Sequence, residues 1–270
     1  MIFDTHCHGY WNGLEQRQDE VRRNMRAQGV TRSVQIGTGL EMSRKALSLS
    51  RDWGPETWCA AGLHPTGCQD MPESSVRQFT VQLEELIQAN RDKVVAVGET
   101  GLDYYHLTRG NETKQKQTQR LFFAAQAVLA LRLDLPLVIH TRAAAAETIA
   151  LLREHGARRA VIHCFSENPD FARALMTWSG EIYFSVSGIL TYKRAVSVQE
   201  TAKVLPLERI LVETDAPFLV PQVLRDAHTL NEPAFARHVM DFLVTLRREP
   251  EHVVEEAVWE NSNRFFRVEN

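Results

Sequence analysis

The sequence predicts a (β/α)8 TIM barrel formed by a single domain that spans residues 1–270. The length suits this fold, because such barrels typically need about 250 residues. Eight short apolar or β-branched segments alternate with intervals that are long enough for a helix and show helical periodicity. Alternating strands and helices form parallel βαβ units, and eight of them close into a barrel; a doubly wound open sheet is the alternative.

The eight predicted strands follow one another at helix-sized intervals. In chain order they lie in "MIFDTH", "SVQIGTG", "TWCAAGLHP", "KVVAVGETG", "LPLVIHTR", "RAVIHCFS", "EIYFSVSG" and "RILVETDAP". Helical patterns cover about Glu15 to Gly29, Glu41 to Trp53 and, for the eighth helix, Glu232 to Leu246. The segment "EPEHVVEEAVWENSNRFFRV" predicts a short terminal pair of helices that packs over the barrel.

Composition indicates a globular protein of the cytoplasm. Hydrophobic residues make up 44% of the chain, and no apolar stretch approaches the ~20 residues needed to span a bilayer. We see no secretory signal at the amino terminus and no C-x-x-C pair among the four cysteines, which predicts reduced thiols. The net charge of −3 provides no general attraction for phosphate, so a nucleic-acid substrate would have to be held locally.

The first strand carries a His-x-His pair, His6 and His8. Ten histidines in 270 residues would produce such a pair about 0.4 times at random, so the pair alone is a weak motif. Alternation along a strand places both histidines on one face, as two ligands of one ion require, and turns Cys7 to the other face. Asp4 shares their face and is either a hydrogen-bond partner of a ligand imidazole or a buried structural carboxylate.

Four further polar residues stand at the ends of later strands. These are Glu99 on strand four, His140 on strand five, His163 on strand six and Asp215 on strand eight. The carboxyl ends of barrel strands converge on one mouth, where active sites lie. Histidine and carboxylate together form the ligand set of Zn²⁺, Mn²⁺, Fe or Co, with Mg²⁺ also possible. Six ligands exceed the needs of one tetrahedral ion, so the sequence predicts two divalent ions that share a bridging carboxylate.

These residues, in this order, resemble the TatD family of metal-dependent hydrolases. Its blocks are matched by "FDTHCH", "GLHP", "VGETGLDYY", "IHTR", "HCFS", "SGILTYK", "LPLERILVETDAPFL", "NEP" and "ENSNRFF". The resemblance implies a binuclear TIM barrel in which His6, His8 and Asp215 hold one ion, His140 and His163 hold the other, and Glu99 bridges them. It also implies a nuclease, commonly a Mg²⁺-dependent 3′ exonuclease on single-stranded DNA. Asn231 and Glu232 are included as site residues on the resemblance alone.

Several side chains near the mouth are candidates for catalysis or substrate binding. Asp215 is the candidate general base for the attacking water, beside the bridging Glu99. His64 contacts a phosphate or protonates a leaving group, or else it is structural. Arg142 either clamps a phosphate or pairs with a carboxylate of the mouth. Tyr104 and its neighbour Tyr105 either stack on a terminal base or pack the loop.

The chain also departs from the family pattern near the mouth. Glu167 stands where glycine is usual, Ala143 where aspartate is usual and Leu230 where arginine is usual, and the segment before "NEP" is about two residues longer. These departures leave hydrolysis in place and open the question of the substrate. The alternatives to a DNA-cleaving phosphodiesterase are an ester or amide hydrolase, such as an aminoacyl-tRNA deacylase, and a metal-binding barrel that serves as a subunit of a larger assembly. The sequence leaves the oligomeric state open.

Overall fold

The computed structural model of the protein describes residues 1–268. Within them, eight strands form one parallel sheet in the order β1 to β8. The strands are β1 (Ile2–Cys7), β2 (Val30–Ile36), β3 (Thr57–Ala61), β4 (Val94–Asp103), β5 (Leu137–Arg142), β6 (Ala160–Ile162), β7 (Ile182–Val186) and β8 (Ile210–Val212). Neighbours in the sheet are also neighbours in sequence, as expected for successive βαβ units.

Helices connect consecutive strands and surround the sheet. They are α1 (Gln18–Ala27), α2 (Leu40–Trp53), α3 (Pro65–Cys68), α4 (Val76–Gln88), α5 (Glu112–Arg132), α6 (Ala145–Glu154), α7 (Pro169–Trp178), α8 (Val196–Val204), α9 (Ala236–Leu246) and α10 (Glu251–Phe266). Their apolar faces pack against the outside of the strands. None of the helices in residues 1–268 combines the length and the apolar character that crossing a bilayer would require.

The barrel closes between β1 and the segment that follows β8. The backbone N–H of Asp215 donates to the carbonyl of His6 at 2.9 Å, and that of His8 donates to the carbonyl of Ala216 at 2.7 Å. The buried Asp4 carboxylate strengthens this seam by accepting hydrogen bonds from the Thr214 backbone at 2.9 Å and hydroxyl at 2.7 Å. The predicted (β/α)8 barrel is therefore confirmed, and the open sheet is excluded.

Three local features differ from the sequence prediction. Strand β4 does not end at Glu99 but continues to Asp103. The predicted terminal pair of helices is a single helix, α10, of 16 residues. The pairing of β1 with β2 shifts register between Asp4 and Cys7, so the simple alternation assumed for the first strand is interrupted there.

The amino-terminal end of the barrel, which we call the bottom, is filled by apolar side chains. Phe3 of β1 packs against Phe266 of α10 and Trp58 of β3, with ring centroids 5.8 and 5.7 Å apart. Phe265 packs beside Phe266 and faces Tyr183 of β7 at 5.2 Å. Helix α10 thus plugs the bottom, and the opposite end, which we call the top, remains open.

Candidate metal centre

The structure brings the six predicted metal ligands together at the top of the barrel. The group consists of His6, His8, Glu99, His140, His163 and Asp215. Five of the six line the floor of a cavity of about 750 Å³ that opens at the mouth, and His6 is fully buried. Each side chain lies on or just after a strand, so the fold itself fixes their relative positions.

The first half of the cluster contains His6, His8 and Asp215. The Nε2 atoms of the two histidines are 3.3 Å apart, and each lies 3.5 Å from Oδ1 of Asp215. These three atoms come from the two strands that meet at the barrel seam. Their close approach gives one candidate ion site.

The second half contains His140 and His163, with Glu99 between the halves. Oε1 of Glu99 lies 2.8 Å from Nε2 of His163 and 3.2 Å from Nδ1 of His140. Its other oxygen, Oε2, lies 3.6 Å from Nε2 of His6. One carboxylate therefore presents one oxygen to each half, which is the arrangement that a bridging ligand needs.

Hydrogen bonds on the outer side of the rings determine which nitrogen faces the cluster as a lone pair. Nδ1 of His8 lies 2.9 Å from the carbonyl oxygen of Ile36, which only accepts, so the proton is on Nδ1. Nε2 of His140 lies 3.1 Å from Oδ2 of Asp103, so its proton is on Nε2. In the neutral rings the remaining nitrogens direct lone pairs at the carboxylates of Asp215 and Glu99.

Such a set of facing acceptors fits divalent cations. Lone pairs that point at carboxylates repel each other unless a proton or a metal ion lies between them. Burial disfavours the charged form of Glu99, but the nearby histidines outweigh burial and hold its pKa well below the usual range. Burial likewise lowers the pKa of His8, but Asp215 outweighs it and shifts the pKa upward. Both shifts follow from the attraction between a carboxylate and a neighbouring imidazole, whereas burial and the nearby His163 lower the pKa of His6.

Two carboxylates behind the ligands were missed by the sequence analysis. Asp103 supports His140, and Glu213 lies behind His163, with Oε1 of Glu213 3.3 Å from Nδ1 of His163. A carboxylate behind a ligand imidazole fixes the ring and increases its basicity. The signal was present in "GLD" and "VET", where each carboxylate stands close to a strand end.

His64 approaches the cluster but differs chemically from the other four histidines. Its Nδ1 accepts the backbone N–H of Thr66 at 3.2 Å, which places the ring proton on Nε2, 3.4 Å from Oε1 of Glu99. Burial lowers the pKa of His64 to about 4. The geometry also groups His64 with Glu99 and His140 as possible ligands. We infer instead an N–H donor at the cavity wall, because the lone pair is already used by Thr66.

Buried glutamines of α5 position two of these loops. Gln119 accepts the N–H of Asp103 at 2.9 Å and donates to its carbonyl at 3.0 Å. Gln126 makes the same pair of bonds to Leu63, at 2.8 and 3.2 Å, next to His64. Each amide thus pairs with one backbone unit, and together they hold the β3 and β4 ends in place.

The predicted substrate residues occupy different surroundings. Arg142 lines the cavity, stacks on the Tyr105 ring at 4.1 Å from its centroid, and makes no ion pair within residues 1–268. Tyr104 instead donates its hydroxyl to Glu147, and its ring lies 4.6 Å from the ammonium of Lys116. Tyr104 therefore packs the loop and does not line the cavity, whereas Tyr105 lies beside Arg142.

The remaining residues named from sequence have structural contacts. Asp4 contacts the backbone of His6 and Thr214 and does not contact a ligand imidazole. Of the two roles considered from the sequence, this is the structural one. Asn231 donates to the carbonyls of Thr214 and Phe218 at 2.8 and 2.7 Å, so it shapes the loop that carries Asp215. Glu232 accepts a hydrogen bond from Asn24 of α1 at 2.8 Å and lies outside the cavity lining.

Comparison with known proteins shows which family the chain belongs to. Residues 3–267 match the family described as TatD related DNase. The chain is 31% identical over 270 residues to the uncharacterized metal-dependent hydrolase YabD of Bacillus subtilis, which covers 99% of this chain and 100% of that protein. It is 35% identical to the uncharacterized metal-dependent hydrolase TatD of Mycobacterium tuberculosis, over 84% of this chain and 83% of the relative.

A solved structure resembles the fold over its whole length. The TatD homologue YJJV of Escherichia coli superimposes with a TM-score of 0.87 at 29% identity, covering 99% of this chain and 98% of the other. The cluster of imidazoles and carboxylates at the top of the barrel is the kind of site that a metal-dependent hydrolase uses. We conclude that this chain is a metal-dependent hydrolase and belongs to the TatD family.

Proposed function

We propose that the protein is a deoxyribonuclease that removes nucleotides from the 3′ end of single-stranded DNA by hydrolysing phosphodiester bonds. The observation that carries this proposal is the arrangement of the cavity floor and wall. Imidazole lone pairs and two carboxylates face one another on the floor, and the N–H of His64 and the guanidinium of Arg142 stand on the wall. An anionic phosphate that binds metal ions would meet both N–H donors there.

The residues are suited to two divalent ions, Mg²⁺, Mn²⁺ or Zn²⁺. His6, His8 and Asp215 would hold one ion and His140 and His163 the other, with Glu99 shared between them. When bound, such a pair neutralises phosphate charge and lowers the pKa of water near the scissile bond. The two separately directed oxygens of Glu99 support this division.

The chain's own groups would do the rest of the chemistry. Asp215 is buried beside His8, whose contact outweighs burial and lowers the pKa of the carboxyl, so Asp215 is ionised and able to accept a proton from the attacking water. His64, a neutral ring with its proton on Nε2, would donate a hydrogen bond from that N–H to a phosphate or leaving oxygen. Arg142, free of carboxylate partners in the described residues, would hold a non-bridging phosphate oxygen.

A strand end suits this cavity better than a duplex. A volume of about 750 Å³ lies in the range of small-molecule pockets rather than of a groove for double-stranded DNA. The net charge of −3 provides no broad basic surface for a duplex. The 3′ polarity rests on the family resemblance. Location in the cytoplasm, the single domain and any protein partner stay predictions.

The test is an assay of metal-reconstituted protein on four substrates in parallel. Purified protein is stripped with a chelator, reloaded with Mn²⁺, Mg²⁺ or Zn²⁺, and given single-stranded DNA, duplex DNA, RNA and aminoacyl-tRNA. We expect stepwise shortening of 5′-labelled single strands, blocked by a 3′-terminal phosphorothioate. Elemental analysis of the gently purified protein should approach two ions per chain.

Matched arginine variants sharpen the result. Arg142→Ala should weaken substrate capture, whereas Arg91→Ala, at the bottom of the barrel, should not. Deacylation of aminoacyl-tRNA without DNA cleavage would replace the proposal with the ester-hydrolase alternative. A protein that binds metal but turns over none of the four substrates would favour a subunit of a larger assembly. A metal content near zero, with no uptake of Mn²⁺ or Zn²⁺, would remove the site assignment itself.

A further inference from the structure

Two aromatic side chains form one wall of the cavity, opposite the wall that carries His64 and Arg142. Trp11 is 37% exposed and Phe218 is 45% exposed, although both line the cavity. Large aromatic side chains are usually well buried or capped by a partner. Here the rings contact each other edge to face, 5.6 Å apart at 70°, and still present open surface to the cavity. We call this pair the aromatic corner.

The aromatic corner is held at a fixed position relative to one half of the metal cluster. The N–H of Trp11 donates to the carbonyl of His8 at 2.9 Å, and the N–H of Phe218 donates to the carbonyl of Asp215 at 2.9 Å. Each aromatic residue is therefore three positions after a candidate ligand, in a turn closed on that ligand. Their ring centroids lie 6.0 and 6.2 Å from the ring of His8.

Neighbouring contacts hold both turns rigidly. Asn231 donates to the Phe218 carbonyl at 2.7 Å. The carbonyl of the next residue, Leu219, lies so close to Gly188 that a side chain there would collide with it. On the other side, Leu230 packs against Gly13, two residues after Trp11. The corner is therefore formed before a ligand arrives, which reduces the entropy lost on binding.

The chemistry of the cavity identifies what the corner would contact. The floor attracts an anion, the wall of His64 and Arg142 is polar, and the corner offers two π faces at an angle. A ligand that uses all three surfaces is an anion joined to a flat, partly apolar ring. In a nucleotide the sugar places the base at a short distance from its phosphate, and every base has a π face that stacks on aromatic rings.

We propose that Trp11 and Phe218 form a nucleobase subsite for the nucleotide whose phosphate binds between the metal ligands. This inference rests on the proposed function and makes it more specific, because it assigns base recognition to the side of the mouth formed by β1 and β8. Stacking tolerates any base, so the subsite selects for the presence of a base rather than for its identity.

The experiment compares two probes that differ by one base. Both are phosphorothioate dinucleotides that resist cleavage; one has both bases, and the other is abasic at the 3′ nucleotide. Binding is measured in Mn²⁺ by tryptophan fluorescence and by calorimetry. Trp11→Ala or Phe218→Ala should weaken binding of the base-bearing probe by roughly 5-fold to 100-fold, which is the range expected for the loss of one base stack. Neither substitution should change the affinity for the abasic probe.

Conservative variants separate stacking from folding. Trp11→Phe and Phe218→Tyr keep a π face and should restore most of the lost affinity, and Phe218→Leu should not. Trp11→Phe should also remove the fluorescence change, because it removes the reporting indole. Val223→Ala, on the loop after Phe218, changes an exposed apolar residue outside the cavity lining and should behave as the parent.

The outcomes distinguish the subsite from the proposed function. A parent that binds both probes equally, or neither, overturns the subsite, as does Phe218→Leu with unchanged affinity. A parent that prefers the base-bearing probe but cleaves no phosphodiester in Mn²⁺ keeps the subsite and refutes the deoxyribonuclease.

Discussion

Both ends of the barrel bury charged groups, but within residues 1–268 more of the buried polar atoms at the top lack a partner. At the bottom, the guanidinium of Arg32 contacts Glu56 and Asn263 and lies between the rings of Trp58 and Trp259, at 5.6 and 4.9 Å. Its charge, two of its N–H groups and its flat faces have partners. That end of the molecule resembles a well-packed interior.

The top contains buried atoms that lack partners. In the described part of the chain, Nδ1 of His6, Nδ1 of His163 and Oε2 of Glu213 are buried without a hydrogen bond, and at the bottom the same holds for Nε of Arg159. Left-handed φ angles in non-glycine residues are also more frequent at the top. They occur there in Ala143, Cys164, Asp215 and Leu219, with φ between 45° and 58°, and at the bottom in Asp134 and Arg267. Unsatisfied groups and strained residues are destabilising and tend to be retained where function needs them. The bottom therefore stabilises the fold, and the top carries a cost in stability that its ions would offset.

The largest expected effect is the loss of turnover when Asp215, at the top of the barrel, is replaced. Asp215→Asn keeps the shape but removes the charge and the basicity, so turnover should fall by roughly 10²-fold to 10⁴-fold, as for loss of a general base. Binding of a phosphorothioate DNA end should survive better than cleavage. The control is Asp226→Asn, on the exposed loop after β8. If Asp215→Asn cleaves single-stranded DNA at the parent rate, the base is another residue or the activity belongs to a contaminant.

A substitution in the aromatic cluster at the bottom should instead lower stability and leave turnover unchanged. Phe3 is 1% exposed in the aromatic cluster, and Phe3→Ala should lower the free energy of unfolding by about 3–5 kcal/mol. Denaturant titration measures that loss. The turnover of the protein that remains folded should match the parent, and Phe3→Leu should lose less stability. Loss of turnover in folded Phe3→Ala would mean that the two ends are coupled.

Metal ions should offset part of the stability cost of the unpaired groups at the top of the barrel. Each ion that binds only the folded state at 100 times its Kd should add about 2.7 kcal/mol to the free energy of unfolding of the parent, so two independent ions should add about 5 kcal/mol. Glu99→Gln should lose more of this gain than His8→Ala, because Glu99 faces both halves of the cluster and His8 faces one. Thermal unfolding with and without Mn²⁺, with calorimetric stoichiometry, measures this. Two ions bound to Glu99→Gln with undiminished affinity would assign the bridge elsewhere.

The smallest effect concerns backbone strain at the top. Ala143 is exposed with a φ of 55°, so Ala143→Gly should raise the free energy of unfolding by about 0.5–1 kcal/mol, because glycine adopts this conformation without steric cost. The same substitution in the middle of α6, Ala150→Gly, should lower it by about 0.5–1 kcal/mol. Equal signs for the two variants would contradict the strain at Ala143.

The sequence predicted the features that follow from periodicity. Eight apolar segments at helix-sized spacing define a barrel, and a barrel brings the ends of its strands together, so His6 and Asp215 meet despite their separation in the chain. The features that depend on three-dimensional packing were missed. Strand β4 passes beyond Glu99 because pairing with β5 continues to Asp103, and no periodicity in the sequence shows where that pairing ends.

Side-chain direction was also beyond the sequence. Tyr104 and Tyr105 are equivalent in a linear pattern, but Tyr104 turns to Glu147 and Tyr105 to Arg142. The strand pattern left two roles open for Asp4, as a hydrogen-bond partner of an imidazole or as a structural carboxylate, and closure of the barrel places it against Thr214. The backing role of Asp103 and Glu213 follows from distances that a strand pattern does not contain.

The seam between β1 and β8 has a consequence for the order of events during synthesis. His6 and Asp215 lie roughly 200 residues apart in the chain, so a ribosome adding about 5–20 residues per second needs about 10–40 s to make the second after the first. During that interval the first two histidines emerge without the carboxylate that completes their group. Metal binding at this half of the cluster would therefore come late, after the whole barrel has formed. It would stabilise the folded chain rather than guide its early folding.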